Sequence, residues 1–168
     1  MSQPFNHLKV IDLSNSTHFA EFEDFTVGPN LEKLILVCCF SLSEIHPSIK
    51  HLKRLIRLDL SECTSLIKLP KEINGLSSLQ TLELGSCYAL GKLPDSLRRL
   101  KSLRELDICG SGIKCLPQSI FLLENIELIS CGRGGNQMIG SAIRENIISH
   151  RTIGKCYLPG TFRSGLLG

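Results

Sequence analysis

The sequence predicts an α/β repeat solenoid, an arc whose concave face is a parallel sheet of short strands. Three observations predict it. The motif Leu-x-x-Leu-x-Leu, with Ile replacing Leu twice, recurs from Leu8, Leu31, Leu55, Leu79 and Leu103, so successive starts advance by 23, 24, 24 and 24 residues. Each motif alternates polar and apolar residues with period two, the pattern of a half-buried strand. Each is followed by a turn and by more leucines at matching positions. The segments are Leu8 to Leu13, Leu31 to Leu36, Leu55 to Leu60, Leu79 to Leu84 and Leu103 to Ile108.

A fixed period of this length is the signature of a leucine-rich repeat array. The third coil shows how one repeat works. From Arg57 to Ser61 the chain is extended, with Leu58 and Leu60 inward and Arg57, Asp59 and Ser61 outward. Cys63 marks the turn, and Leu66 and Leu69 continue the interior lining. Pro70 ends the extended run because it fixes φ and lacks a donor. Lys71 to Leu76 then forms a short helical turn on the outer side, with Ile73 and Leu76 three apart on its inner face. The fourth coil repeats this with Cys87, Leu90, Leu93, Pro94, Leu97 and Leu100. A single coil buries too little apolar surface to offset its own ordering. Stacking covers both open sides and adds a backbone hydrogen-bond ladder, so stability is a sum over neighbours.

Size and composition agree. The chain has 168 residues, one domain's worth, with 42% apolar and only 5% aromatic residues and no Trp. Aliphatic layers build a solenoid without large aromatics. The formal charge, 19 − 16 = +3, is too mild to argue for nucleic acid or an anionic membrane. No apolar run spans a bilayer, and Met1 to Asn6 has neither a basic n-region nor an apolar h-region. The expected compartment is therefore cytoplasmic or nucleocytoplasmic. Of eight cysteines, Cys39, Cys63 and Cys87 share one repeat phase. They are expected to be buried free thiols in a reducing compartment, since a straight ladder of thiols does not make a zinc tetrahedron.

The array is expected over residues 1–131, as five coils and a partial sixth begun by Ile126 to Cys131. Residues 132–168 form a divergent tail. Within it, Met138, Ile139, Ala142, Ile143 and Ile147 fit a short capping helix over 136–149. Residues 150–168 read as irregular, with a turn at Pro159-Gly160.

Stacked strands align homologous outward positions. The central column reads Asp12, Ile35, Asp59, Glu83 and Asp107, and one flank reads Val10, Lys33, Arg57, Thr81 and Glu105. The plain reading is a solvated sheet surface. The functional reading is a groove for a basic or mixed-charge protein segment, because like charges one strand apart repel without a partner. Candidate contacts are Lys33, Arg57, Asp59, Glu83, Glu105 and Asp107. Catalytic, cofactor and metal sites are not expected. His46 and His51 lack the zinc-protease spacing, and Cys109 has no base predicted beside it. Gly132-Arg-Gly-Gly-Asn lacks the Gly-Lys-Ser/Thr of a phosphate-binding loop.

Two features choose a class of repeat. Cys stands at the turn in three coils, with Ser16 and Ser111 in the others. The next segment reads Leu66-Ile-Lys-Leu69-Pro70, Leu90-Gly-Lys-Leu93-Pro94 and Ile113-Lys-Cys-Leu116-Pro117. Together with Asp24 to Leu36 and Cys39 to Ile49, this resembles the repeat domain of plant intracellular nucleotide-binding disease-resistance receptors of the TIR type, over roughly residues 5–130. The resemblance implies recognition of a pathogen effector, a guarded host protein or the receptor's own domains. It also implies that this stretch, which has neither a P-loop nor a TIR domain, does not itself switch or signal. A fragment, a truncated product, a stand-alone adaptor and a decoy all fit. Two other readings are a Ras-adaptor-like signalling scaffold and a ubiquitin-ligase substrate receptor. The first favours Asn at the turn and a 23-residue period, and the second requires an adaptor-binding domain.

Overall fold

The computed structural model describes residues 6–20, 24–130 and 155–157. One sheet of seven parallel strands runs in chain order: β1 (Val10–Asp12), β2 (Lys33–Ile35), β3 (Arg57–Asp59), β4 (Thr81–Glu83), β5 (Glu105–Asp107), β6 (Leu128–Ser130) and β7 (Lys155–Tyr157). Short 3-10 helices alternate with the strands on the outer side: η1 (Phe25–Val27), η2 (Pro47–His51), η3 (Lys71–Gly75), η4 (Asp95–Arg99) and η5 (Gln118–Leu122). This is a leucine-rich repeat arc with its strands on the concave face.

Register makes one shared interior column. Leu34 pairs with Leu58, Leu58 with Leu82 and Leu82 with Leu106. All four are completely or almost completely buried. In the third coil Leu55, Leu58, Leu60, Cys63, Leu66, Leu69, Ile73 and Leu76 all join the same core. The strands are shorter than the Arg57 to Ser61 alternation predicts. The N–H of Ser61 donates to Asp59 Oδ1 at 3.1 Å, and the chain turns. Immediately after, Glu62 has φ 61°, as do its counterparts Asn15, Cys38 and Ser86 at 64°, 60° and 58°. In the fifth coil Gly110 takes this left-handed place at 69°.

The outer turns are 3-10 rather than α because only five residues are available before the chain must return. The N–H of Ile73 donates to Pro70 O and that of Leu76 to Ile73 O, both at 3.1 Å. Side chains three apart then eclipse, so Ile73 and Leu76 both point into the core. In the second coil the turn begins after His46, whose Nδ1 accepts the N–H of Ser48 at 3.2 Å, and Ser48 Oγ accepts the N–H of Phe25 at 2.9 Å. His46 is thus a helix cap.

The turn thiols bind the coils together. The S–H of Cys39 donates to Leu13 O at 3.3 Å, that of Cys63 to Leu36 O at 3.1 Å, and that of Cys87 to Leu60 O at 3.1 Å. Each thiol gives a carbonyl of the coil before it a second donor, beside the backbone N–H that the carbonyl already accepts. Burial pushes the Cys63 and Cys87 thiols up to about 12. All three are free thiols. Where coils approach most closely, a side chain is excluded: a Cβ on Gly112 would lie 2.1 Å from Tyr88 O.

The first coil is less complete. Leu8, Ile11, Leu13 and Phe19 pack on the core but are only partly buried, whereas Leu31, Leu34, Leu36 and Leu42 in the second coil are at most 1% exposed. At the other end, Lys155–Tyr157 departs from the irregular tail expected over 150–168. It pairs in parallel with β6, which gives that strand's outer edge a hydrogen-bonding partner. The helix expected over 136–149 lies outside the described residues.

Candidate functional site

The strand face carries the predicted contacts at register positions set by the stacking. Lys33, Arg57 and Glu105 occupy the flank, on β2, β3 and β5, and Asp59, Glu83 and Asp107 occupy the central column on β3, β4 and β5. Lys33 and Glu105 are exposed. The other four are not equally open, and the structure brings three of them together.

Arg57 is the hub. Its Nη2 donates to Asp59 Oδ2 at 3.0 Å and to Glu83 Oε2 at 2.7 Å, so one guanidinium ties two carboxylates on adjacent strands. Asp59 is only 6% exposed, a deeper position than the outward pointing predicted from alternation. Burial pushes its carboxyl up, but hydrogen bonds from Glu83, Ser61 and Arg57 outweigh that and hold it below the ordinary range. Glu83 absorbs the opposite effect. Burial, then a hydrogen bond with Asp59 and its negative charge, push Glu83 up to about 7 against the pull of Arg57. The two carboxyls therefore share the stabilisation one cation supplies.

The acidic column also has internal work. Asp12 Oδ1 accepts the N–H of Ser14 at 3.0 Å, Asp59 Oδ1 that of Ser61 at 3.1 Å, and Asp107 Oδ1 that of Cys109 at 2.9 Å. Each aspartate closes its strand by taking the N–H two residues on. Glu83 sits where Gly85 follows, and its longer side chain reaches Arg57 instead. The recurring Asp-x-Ser or Asp-x-Cys spacing is the sequence signal for this role. Reading the column only as mutual repulsion misses it.

Across β4 and β5 the outward side chains are Thr81, Glu83, Glu105 and Asp107, with no cation among them. Glu105 Oε2 accepts the hydroxyl of Thr81 at 3.4 Å. The neighbouring ion pairs, Lys9 with Glu32 at 2.9 Å and Arg104 with Glu127 at 3.3 Å, lie one residue before the strands and link adjacent coils. The face thus keeps a negative excess centred on β4 and β5. On the outer side, Lys71, Glu72, Asp95, Arg98 and Arg99 line a separate open groove of about 350 Å³ between η3 and η4, with charges of both signs. Among the described residues no group of three His, Cys, Asp or Glu side chains is arranged to hold a metal ion. No helix among them is long and apolar enough to cross a membrane.

Fold and face together define a leucine-rich repeat module with an open, acidic strand surface. The family of Zer-1-like leucine-rich repeats matches residues 1–69. Among curated proteins, the disease resistance protein RUN1 of Vitis rotundifolia is 49% identical over 47 residues, 28% of this chain and 4% of that protein. The disease resistance protein RML1B of Arabidopsis thaliana is 44% identical over 54 residues, 32% of this chain and 5% of that protein. Over that stretch the chain is homologous to plant disease resistance proteins, as its turn cysteines and Leu-Pro segments lead one to expect. Among solved structures, a leucine-rich repeat protein of Leptospira interrogans superposes with a TM-score of 0.60 at 30% identity, over 79% of this chain and 33% of that one. The leucine-rich repeat domain of the type III effector XopL gives 0.51 at 27% identity, over 67% of this chain and 44% of that one.

Proposed function

We propose that this chain is a protein-recognition module of plant disease resistance, acting without catalysis in the cytoplasm or nucleocytoplasm. It captures a protein partner on its strand face. That partner is a pathogen effector, a guarded host protein or another domain of the receptor the module serves. The observation that carries this reading is the negative excess of the strand face, set in a row by coil stacking: Arg57 pairs with Glu83, while Glu105 and Asp107 on β5 have no cation beside them on β4 or β5. Homology to disease resistance proteins supplies the biological setting.

Reversing charge tests it. The combination Glu83→Lys, Glu105→Lys and Asp107→Lys is expected to abolish coprecipitation with a nucleotide-binding resistance receptor in plant cells, with the fold checked by circular dichroism. Asp59 is left intact because it is only 6% exposed and holds Arg57. Unchanged capture would remove the strand face from the mechanism. Copurification with a cullin adaptor would instead favour a substrate-receptor role.

A further inference from the structure

We propose that the strand face continues into a two-sided trough for an extended protein segment in which Lys or Arg alternates with aliphatic or aromatic residues. This rests on the strand face being a recognition surface and names the chemistry of its ligand.

One wall is the carboxylate column, formed by Glu83 and Asp107 with the nearly buried Asp59 behind Arg57. The floor comes two residues later in each coil, at Val37, Ser61, Gly85 and Cys109. Past Val37 these side chains are small or missing. A Cβ on Gly85 would lie 3.3 Å from Asp107 Oδ2, so a larger residue there would crowd the carboxylate wall. The far wall lies just past the turn. Phe40 and Tyr88 directly follow the turn cysteines of the second and fourth coils and are 42% and 65% exposed. On the coil between them, Ile67 is 57% exposed, and its N–H donates to Ser43 O of the coil before at 3.0 Å. In these same coils Leu42, Leu66 and Leu90 are completely buried. Three large apolar groups left open on three consecutive coils, Phe40 and Tyr88 at one repeat position and Ile67 three residues further along its coil, have the character of a binding rim.

Charge complementarity selects the occupant. Arg57 engages Asp59 and Glu83, but Glu105 and Asp107 on β5 have no cation beside them on β4 or β5, so one guanidinium faces four carboxylates and the excess attracts a basic chain. Geometry selects its conformation. Adjacent strands are about 4.8 Å apart and an extended segment advances about 3.3 Å per residue, so about five residues cross from the second coil to the fifth. Successive side chains of such a segment point to opposite sides. Laid along the floor, it presents one set to the carboxylates and the other to the rim.

The test uses three fluorescein-labelled hexapeptides, alternating Lys-Leu, Lys-Ser and Glu-Leu, titrated against the intact chain by anisotropy. Two variants probe the walls separately: Phe40→Ser with Tyr88→Ser, and Glu83→Gln with Asp107→Asn. Thermal melting verifies that each is folded. The Lys-Leu peptide is expected to bind tightest and to weaken with salt, and each variant is expected to lower its affinity about tenfold. Equal binding of Lys-Leu and Lys-Ser, with no effect of the rim variant, would overturn the trough and leave the acidic face standing. Equal binding of Glu-Leu and Lys-Leu would overturn the assignment of a basic ligand. Absence of all peptide binding, with partner capture still lost on charge reversal, would overturn the trough alone. Capture that survives charge reversal sinks the recognition face, and the trough with it.

Discussion

Arg57 holds two carboxylates with one nitrogen, and the consequence is a titration set by the fold. Glu83 ordinarily titrates near 4.5 and is pushed up to about 7 here, chiefly by burial and then by Asp59. A carboxyl raised by folding favours the folded state while it is protonated. Its contribution is complete below 4.5 and is lost as pH rises toward about 7. Asp59 is held low, so its contribution is present above its ordinary value of 3.8 and is lost as pH falls through its lower folded value. The two windows are opposed. Melting temperature is therefore expected to fall between pH 4.5 and about 7 in the native chain, and Glu83→Gln is expected to flatten that slope. An identical slope in the variant would show that Glu83 does not carry this proton. The same deprotonation adds negative charge to the proposed binding wall.

At the scale of the coil, the turn cysteines have the role of cross-braces. Their S–H groups reach carbonyls of the coil before, each of which already accepts a backbone N–H of its own turn, so every thiol adds a bond between coils. Because the thiols of Cys63 and Cys87 are buried and pushed up to about 12, almost none is thiolate near neutrality. Cys115 is exposed. Among the cysteines whose side chains are described, brief maleimide labelling of the folded chain, read by peptide mass spectrometry, is expected to modify Cys115 first. Cys39, Cys63 and Cys87 are expected to react only on unfolding. Early modification of Cys63 or Cys87 would mean that the coils open far more readily than their packing implies. The strand element shows a second economy: the aspartates that end β1, β3 and β5 also carry charge on the strand face, so structure and surface draw on the same residues.

For the whole molecule, stability is a one-dimensional sum of coils and their interfaces. The middle coils are fully buried on both sides, while the first keeps Leu8, Ile11, Leu13 and Phe19 partly open. Opening is thus expected to begin in the first coil. Hydrogen exchange followed by mass spectrometry should find the amides of β1 exchanging fastest and those of β3 and β4 slowest. Uniform protection along the array would contradict a nearest-neighbour solenoid. The acidic face survives this gradient because β3, β4 and β5 belong to the well-packed middle.

The repeat itself was legible in the residues. A leucine period of 24 with alternation inside it admits one packing, because only stacking buries those side chains on both sides. Register followed from it, since a slip of one residue would turn Leu34, Leu58, Leu82 and Leu106 outward. The columns of Lys33, Arg57, Asp59, Glu83, Glu105 and Asp107 were also readable as positions, and the turn cysteines and Leu-Pro segments as a family likeness. What only the tertiary structure decided is how those positions differ in state. Whether Asp59 sinks to 6% exposure, whether one guanidinium bridges two strands, and which apolar residues stay open at the rim depend on side-chain reach between coils. Periodicity determines where a side chain starts. Burial and charge depend on what the neighbouring coil brings within a few ångströms, and that is settled only when the coils have stacked.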